Sequence, residues 1–543
     1  MKTRCLSAIV TALLVLTVLA ACAPAAGPSV PQPTEPPAAP VPTQAPAPAP
    51  TQAPAAPAAT QAPAAGLGGV PVIILDGEPS DLSPMMGQSR VTFTVLDEVN
   101  CFIARYDQQL KVIPSAASSW DVVDNKTMRI NLKHGIKFHN GQEVTADDFK
   151  FSIEAQTKPE YGGTIAARLA AVDSVEVVDK YTAVIHLKEA YAPLLDVLID
   201  RVPILPQSVY ATPGAAKTQP VGCGPFKFKE WRKNSYITLD KNPDYFEPGL
   251  PKTDGLKFVF LPDYGAAKAS LLSKESDVLL MGNLVDTPAM QAQSGIKVSA
   301  APLLGYEWLG MNVTKAPFTD VRVRQAVKLA IDRQPIVDAT TAGQGKPAFI
   351  PIPKTSPFYV PEVEYQPDIA KAKQLLTDAG FPNGFSVKVT VPQTAEEQPI
   401  GVVIQSQLKA VGINVDLEVL DVPAFIQRVF TNKDFAMDIC GDTAGPDPAA
   451  LLGSYYLSTS PTNIHNYKNA QMDDMLNKAS STFDLAERQK DYAAALKIAV
   501  DESPMVWLTQ GTRVSSYQDY LSGFVNLPTL RYEFWNLQFV KPK

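Results

Sequence analysis

The sequence predicts a mixed α/β fold with more than one lobe, and three observations lead to this prediction. Polar and apolar residues alternate at 128–132, 386–391 and 413–419, as they do in half-buried strands. Apolar residues recur at helical spacing over about 396–411, so the last two strands and this helix make a β-α-β unit, which favours parallel pairing and a right-handed crossover. About 475 residues follow the N-terminal segments, more than one hydrophobic core usually serves, so two or three lobes are expected.

The N-terminus predicts a lipoprotein signal peptide over residues 1–21. Lys2 and Arg4 give a short positive segment, and residues 5–20 are apolar and uncharged. This stretch has the length of a signal peptide's apolar region and is short for a transmembrane helix, which needs roughly 20 residues. Leu-Ala-Ala-Cys at 19–22 resembles a bacterial lipobox, so Cys22 is the predicted lipid-attachment site. An ordinary signal peptide with a chance cysteine is the alternative.

Residues 22–66 predict a linker that begins at the lipidated cysteine. Between 23 and 65 nearly every residue is Ala, Pro, Thr or Gln, Glu35 is the single charged residue, and the unit PTQAP occurs twice. Proline fixes φ and removes donors, and the segment has almost no bulky apolar residues, so it cannot fold around a core. We expect a semi-rigid polyproline II spacer that holds a globular body away from a membrane.

The helices of the body carry recognisable start and stop signals. Gln366-Pro367-Asp368 predicts a helix start, and Gly380 predicts its end. A later helix is predicted over about 485–502, shortly before Pro504. Thr145 is predicted to cap a helix whose first turn is acidic. These helices complete the mixed α/β pattern.

Charge, hydropathy and cysteine content exclude several classes of protein. The formal net charge of −7 becomes −9 once the two cationic residues of the signal peptide are removed, which argues against a nucleic-acid partner. No second apolar run of 18 or more residues occurs, so nothing after the signal peptide is predicted to span a bilayer. Cys101, Cys223 and Cys440 allow at most one internal disulfide, and the sequence leaves the pair open.

The motifs of enzymes and metal sites are missing from the sequence. The four histidines have no H-E-x-x-H spacing, and neither a C-x-x-C pair nor an EF-hand loop is present. There is also no G-x-S-x-G elbow and no Gly-rich phosphate loop. We therefore predict no catalytic residues, no metal site and no cofactor.

Several segments carry a resemblance to a known family. The sequence from Ser119 to Phe151 is SWDVVDNKTMRINLKHGIKFHNGQEVTADDFKF. Its part from Trp120 to Phe151 closely resembles the signature of the family 5 bacterial extracellular solute-binding proteins, the oligopeptide, dipeptide and nickel-binding group of ABC importers. Further matching segments follow in family order and extend the resemblance from about 90 to 508. These segments are 220–231, 241–251, 312–333, 365–381, 405–413 and 446–448.

The resemblance implies a type II periplasmic-binding-protein architecture, with two main lobes, the extra domain of family 5 and a hinge cleft between the lobes. Lobe I would comprise 67–115, 215–302 and 509–543, lobe II 116–214, and lobe III 303–508. A ligand would bridge two lobes and shift an open–closed equilibrium. The closed form would deliver the solute to an ABC permease driven by ATPase subunits, from an extracytoplasmic position held by the lipid anchor. A monomer is expected.

The resemblance also directs attention to the loop before the Pro-Asp-Pro turn. Peptide-binding members carry an aspartate there that pairs with the ligand's α-ammonium; the ungapped position holds Ala444, so Asp442 is the leading candidate. Cys223 replaces a small residue in a Gly-x-Gly-Pro turn and is interpreted as a buried small hydrophobe. The other candidate ligand contacts near this loop and the predicted cleft are Cys440, Gly441, Tyr306, Trp308, Asn312, Tyr467 and Trp507.

The sequence leaves the identity of the ligand open. A peptide is the default, and an oligosaccharide is the alternative because the Asp442 loop departs from the peptide-binding pattern and aromatic side chains in a cleft stack on sugar rings as well as on peptides. A metal chelate carried by the protein is a further alternative. A binding module that presents its ligand to a sensor, and a surface adhesin, are the alternatives to transport.

Overall fold

The computed structural model describes residues 68–85, 89–163, 165–394, 396–443, 445–529 and 531–543. The predicted signal peptide, Cys22 and the linker therefore lie outside the described residues. Within the described ranges, no helix is both long and apolar enough to span a bilayer.

The first part of the chain forms a small four-stranded antiparallel sheet in the order β4-β5-β7-β6. Thr145 caps the helix that packs on it, as predicted, and it also shares a capping box with Asp148. The elements up to this point are β1 (Val72–Leu75), α1 (Arg90–Val99), β2 (Ala104–Tyr106), β3 (Val112–Pro114), β4 (Ala117–Asp124), β5 (Thr127–Leu132), α2 (Ala146–Thr157), β6 (Val172–Asp179), β7 (Thr182–Leu187), α3 (Leu194–Arg201) and α4 (Gln207–Tyr210), with 3₁₀ turns at Pro159–Tyr161 and Ala166–Leu169.

The next part returns to β1 and builds a second sheet around it. Strand β1 pairs in parallel with β10 and with β11, and β9 and β8 extend the sheet by antiparallel pairing. We call the order β11-β1-β10-β9-β8 the first half-sheet. Its elements and those that follow are β8 (Phe226–Arg232), β9 (Tyr236–Lys241), β10 (Gly255–Phe260), α5 (Tyr264–Leu272), β11 (Val278–Leu279), α6 (Thr287–Gln291) and β12 (Ile296–Met311).

A second half-sheet, in the order β15-β14-β16, contains the predicted β-α-β unit. Strands β14 and β15 pair in parallel, with Phe385 opposite Ile413, which confirms the prediction. The predicted helix at 366 begins later, at Ile369, because the Asp368 side chain accepts the Lys371 N–H and so forms the cap after Pro367. The elements are α7 (Val321–Ala330), α8 (Gln334–Thr341), β13 (Lys346–Pro347), α9 (Ile369–Asp378), β14 (Phe385–Pro392), α10 (Glu397–Lys409), β15 (Ile413–Leu420), α11 (Val422–Ile426), β16 (Met437–Thr443), α12 (Ala449–Tyr456), α13 (Ala470–Ser480) and α14 (Leu485–Glu502), with a 3₁₀ turn at Pro361–Val363 and a π turn at Gln427–Thr431.

Two long strands join the half-sheets. Strand β12 pairs along most of its length with β17, antiparallel, and the register shifts between Pro302 and Tyr306. In the first half-sheet β17 also pairs with β11, and in the second half-sheet β12 also pairs with β16. The closing elements are β17 (Met505–Gln518), β18 (Leu521–Ser522), β19 (Val525–Asn526), β20 (Tyr532–Glu533) and β21 (Gln538–Phe539).

Strand direction makes the carboxyl edges of the two half-sheets face each other. Strand β11 is antiparallel to β17, which is antiparallel to β12, so the carboxyl ends of β1, β10 and β11 point along β12 toward the second half-sheet. Strands β14 and β16 are parallel to each other, and β16 is antiparallel to β12, so their carboxyl ends point back toward the first half-sheet. The register shift at 302–306 lies between these two edges.

A disulfide ties the base of the small sheet to the first half-sheet. Cys101 and Cys223 are bonded across 122 residues of sequence, and all four strands of the small sheet lie between them. Cys223 is buried, as interpreted from the sequence, and the bridge to Cys101 settles the pairing that the sequence left open. Beside it, the His139 imidazole contacts the Gly224 carbonyl at 3.1 Å, and burial lowers the pKa of His139 to about 4.

Candidate functional site

The facing carboxyl edges define the candidate binding cleft. In open α/β sheets, ligands bind in the crevice outside the carboxyl ends of the strands, where loops carry side chains that the sheet does not need for its own pairing. Here two such crevices share one space, because β12 and β17 cross between them. Side chains at the ends of β14 and β16 and near the register shift of β12 therefore line this space.

Asp442 lies at the carboxyl end of β16, at this edge. Its carboxylate accepts a hydrogen bond from the Tyr455 hydroxyl at 2.7 Å and another from the Thr443 N–H at 2.7 Å. Burial, and then the Asp442 charge, raise the pKa of the Tyr455 hydroxyl, so that tyrosine stays a donor at neutral pH. Asp442 is exposed, so its carboxylate keeps capacity for a further partner.

Glu307 lies at the same edge, on the neighbouring strand β12, and it was not predicted as a site residue from the sequence. It lies on β12 directly opposite Gly441, and a side chain at Gly441 would overlap the Glu307 carboxyl. One carboxyl oxygen, Oε2, is buried and has no hydrogen-bond partner. A buried carboxyl without a partner is costly. The space at Gly441 and the missing partner of Oε2 together indicate that the Glu307 carboxyl can accept a hydrogen bond from a ligand.

More acidic side chains surround Glu307. Glu397 begins α10, just past the carboxyl end of β14, and is buried against the Thr394 hydroxyl, which donates to its Oε2. Burial raises the pKa of Glu397 to about 7. Burial first, then the nearby charges of Glu397, Glu396 and Asp442, raise the pKa of Glu307 well above its usual range. This acidic edge (Glu307, Glu396, Glu397 and Asp442) can attract a cation, and its Glu307 and Glu397 carboxyls can hold protons when no cation is bound.

Cys440 and Gly441, two further predicted residues, precede Asp442 on β16. Cys440 is half-buried with a free thiol, and burial raises the pKa of that thiol. Such a thiol is a weak nucleophile and behaves as a small apolar side chain. Gly441 contributes the space that the Glu307 carboxyl occupies.

Tyr306 lies opposite Asp442 in the β12–β16 register and lines a cavity of about 500 Å³. The side chain is 1% exposed, yet its hydroxyl has no hydrogen-bond partner. The cavity is also lined by Lys346, by Phe349 and by Gln510, which is the β17 partner of Tyr306. Its volume and mixed apolar and polar walls are those of a small-molecule pocket.

The remaining predicted residues lie in the core behind the edge. Trp308 donates its indole N–H to Asp438, and Trp507 donates to the Tyr456 hydroxyl, both at 3.0 Å. Asn312 donates to the Lys433 carbonyl, and the Tyr467 hydroxyl donates to Glu502. All four predicted side chains are at most 2% exposed. The structure therefore brings Asp442, Cys440, Gly441 and Tyr306 together at the edge, and ligand contact by the other four stays a prediction.

The chain is similar in sequence and in structure to bacterial solute-binding proteins. The model of the bacterial extracellular solute-binding proteins, family 5 (middle region), matches residues 111–463. The chain is 29% identical to the oligopeptide-binding protein AppA of Bacillus subtilis, with 84% of this chain and 89% of AppA covered. It is 26% identical to the glutathione-binding protein GsiB of Pectobacterium atrosepticum, with coverages of 85% and 93%.

A solved structure has the same architecture. The periplasmic binding protein DppA of Helicobacter pylori, in complex with the peptide STSA, superposes with a TM-score of 0.73 at 26% identity and covers 88% of this chain and 99% of its own. The predicted type II periplasmic-binding architecture is thereby confirmed.

Proposed function

The chain belongs to the bacterial extracellular solute-binding proteins of family 5, and from this premise we propose that it captures a short peptide in the cleft and delivers it to an ABC permease. Proteins of this family bind solutes and are not enzymes. The relatives described above bind oligopeptides, glutathione and a tetrapeptide, which supports a peptide as the ligand of this chain too.

The acidic edge is the observation that carries the proposal. Every linear peptide with a free N-terminus brings an α-ammonium with three donors, and Glu307 Oε2 is a buried acceptor without a donor. Asp442 sits on the adjacent strand with its own free capacity. Charge-assisted hydrogen bonds of this kind are about twice as strong as neutral ones. The ammonium would relieve the cost of burying the Glu307 carboxyl.

The two crossing strands supply a means of closure. Hinges are a few residues between rigid elements that absorb changes in φ and ψ, and the register shift at 302–306 lies between the two half-sheets. A peptide with one end on each half-sheet would favour the closed arrangement by its differential affinity for it. The closed arrangement is the one that a permease would recognise.

The N-terminal signals extend the proposal to location. The lipobox at 19–22 supports a diacylglycerol anchor on Cys22, and the Pro-rich segment that follows supports a spacer between membrane and cleft. An anchored receptor raises the effective concentration of loaded protein at its transporter. A monomer and an extracytoplasmic position are part of the proposal.

An oligosaccharide is a second candidate for the ligand because of the cavity beside Tyr306. Phe349, Tyr359 and Tyr365 contribute aromatic rings to its wall, and aromatic rings stack on sugars as they do on apolar side chains. The acidic edge speaks for the peptide, since a neutral sugar carries no cation. Presentation of the same ligand to a sensor in place of a permease would use the same closure.

Ligand identity is best tested by releasing what the cleft carries. Protein purified gently from its host or a heterologous bacterium is denatured in acid, and the released small molecules are identified by mass spectrometry. We expect peptides with unblocked N-termini in the released fraction and fewer of them from a Glu307→Gln protein prepared in parallel. Release of oligosaccharides alone would reject the peptide and favour the second candidate.

A further inference from the structure

Arg513 occupies the opposite side of the cleft from the acidic edge. It lies on β17 where the strand has just passed the register shift, opposite Ala301 of β12. Its other neighbour is the chain just past the carboxyl end of β11, where the Gly282 N–H donates to the Val514 carbonyl at 2.7 Å. Arg513 is therefore placed at the carboxyl edge of the first half-sheet, which faces the second.

The guanidinium of Arg513 is buried without a counter-ion. The side chain is 3% exposed, and its Nε and Nη2 have no hydrogen-bond partner. Only Nη1 is used, in a bond to the Arg531 carbonyl at 2.9 Å, and the guanidinium carbon lies 4.4 Å from the centre of the Tyr532 ring. Among the residues that the structure describes, no carboxylate forms a salt bridge with Arg513.

The neighbouring Arg531 has the carboxylate partners that Arg513 lacks. Its guanidinium pairs with both Asp97 and Asp200. Because these two carboxylates form ion pairs with Arg531, they do not neutralise the charge of Arg513. The contrast between these two neighbouring arginines makes the missing partner of Arg513 specific to its position.

Arg90 adds a second positive charge to the same place. It opens α1, after the carboxyl end of β1, and its Nη2 pairs with Asp76 while its Nη1 is buried and unpartnered. Burial is the main cause that lowers the pKa of Arg513, and the Arg90 charge acts in the same direction. Two like charges and three unused donor atoms, two on Arg513 and one on Arg90, thus converge at one edge.

An arrangement of this kind needs an anion. Arginine stays protonated under all ordinary conditions, so it cannot relieve its burial by losing a proton as a lysine can. Burying an unpaired charge is costly, and a guanidinium fork fits a carboxylate or a phosphate by two parallel bonds. The acidic edge across the cleft is matched to a cation, and this edge is matched to an anion.

We propose that Arg513 and Arg90 form the subsite that binds the anionic group of the captured solute, namely the α-carboxylate of a peptide whose ammonium lies at the acidic edge. The inference rests on the proposed function for the nature of the solute and adds a second anchoring point. A free inorganic phosphate is the other source of the same chemistry.

The distance along the crossing strand sets the size of the solute. Glu307 pairs with Thr509, and Arg513 follows Thr509 by four strand positions, about 13 Å at roughly 3.3 Å per residue. An extended peptide also advances roughly 3.3–3.6 Å per residue. A peptide of about three to five residues therefore spans the two charged edges, whereas a single amino acid does not.

The test compares one peptide mixture in two chemical forms. Ligand-stripped wild-type protein is incubated with a casein hydrolysate, either untreated or with its carboxylates converted to methyl esters, and bound masses are read by native mass spectrometry. Inorganic phosphate is a third probe, read by thermal shift. We expect binding of untreated peptides, a loss of at least tenfold on esterification, and no further loss on esterification in the Arg513→Gln and Arg90→Gln proteins. Arg322→Gln, which removes an exposed arginine paired with Asp320 on α7, is the matched control and should behave as wild type.

Each other outcome points to a different failure. Equal binding of untreated and esterified peptides by wild-type protein, a result that needs no variant to fold, would overturn the anionic subsite and leave the peptide receptor standing. Binding of phosphate that depends on Arg513, with no peptide bound in either form, would keep the subsite and reject the peptide. No binding of any probe that depends on Arg513 or Arg90 would overturn the inference.

Discussion

Glu307 on β12 and Gly441 on β16 are paired directly across the sheet, and the Glu307 carboxyl occupies the volume that a side chain at position 441 would fill. A glycine in a strand often marks a site where another group must approach closely. Here that group is an acid at the carboxyl edge of the half-sheet, with a buried oxygen that has no partner. The pair therefore makes room for charge where a ligand can reach it.

Replacing Gly441 with alanine should displace the Glu307 carboxyl. The added methyl would collide with the carboxyl, so we expect peptide affinity to fall about tenfold, which corresponds to about 1.4 kcal/mol. Glu307→Gln should cost at least as much, because it removes the charge while preserving shape. The double variant should lose little more than Glu307→Gln alone, since residues in contact are not additive. Isothermal calorimetry with a bound peptide measures all three.

Gly453→Ala is the control for this substitution. Gly453 lies in α12, where an added methyl would meet only Leu457 at an ordinary 3.7 Å. We expect unchanged affinity there. Full affinity in Gly441→Ala as well would mean that Glu307 does not contact the ligand.

Peptide affinity should rise with pH between about 5 and 7.5. Burial raises the pKa of Glu397 to about 7 and raises that of Glu307 well above its usual range, so both carboxyls hold protons in the empty cleft and lose them when an ammonium binds. Above about pH 8 the affinity should fall, because the peptide's α-ammonium loses its proton. Calorimetry at pH 6 in two buffers of different ionisation enthalpy should report a net proton released per peptide. An N-acetylated peptide should show neither the rise nor the proton, and equal pH profiles for both peptides would contradict the role of the acidic edge.

The stability of the empty protein should decrease as pH rises because of Asp196. This carboxyl on α3 accepts the Tyr106 hydroxyl at 2.5 Å, and burial, then the charges of Asp200 and Asp447, raise its pKa to about 8. The unfolded value is about 3.9, so the folded chain binds an extra proton between about pH 4 and pH 8. Stability from this group is therefore present at the acid end of that window and lost toward its upper end, by at most about 1.4 kcal/mol per pH unit.

Asp196→Asn isolates this contribution. Urea unfolding at pH 5, 6, 7 and 8 should show a growing advantage of the variant over wild type as pH rises. A difference between the two proteins that stays constant with pH would show that Asp196 titrates normally.

Removing the Cys101–Cys223 bridge should destabilise the protein by about 2–5 kcal/mol, since the bridge closes a loop of 122 residues around the small sheet. The Cys101→Ser, Cys223→Ser double variant is unfolded in urea beside wild type, with and without dithiothreitol. Reductant should lower the wild-type midpoint to that of the variant and leave the variant unchanged. A wild-type midpoint insensitive to full reduction would show that the bridge adds no stability.

Much of the fold follows from local patterns in the sequence. The β-α-β unit was predicted to within two residues because alternation and helical spacing are properties of short windows. The N-cap at Thr145 and the acidic first turn of its helix were predicted for the same reason. The crossing of β12 and β17 was not, because it pairs Ala301 with Arg513, more than 200 positions later.

The site was predicted only in part, for the same physical reason. Asp442 could be found because a motif lies next to it, whereas Glu307 acquires its meaning from Gly441, 134 positions away in sequence. The sequence did hold one signal, an acid inside the apolar run Leu-Leu-Gly-Tyr-Glu-Trp-Leu. The cysteine pair stayed open because three thiols allow three pairings, and only the topology brings Cys101 beside Cys223.

Calorimetric titration of ligand-stripped protein with a four-residue peptide identified from the released fraction measures whether the cleft holds both peptide termini. We expect tight binding to wild type and a loss of at least tenfold on each of three changes: N-acetylation of the peptide, amidation of its carboxylate, and Glu307→Gln in the protein. Undiminished affinity after both ends of the peptide are blocked would contradict the claim that the two facing edges of the cleft hold a peptide by its termini.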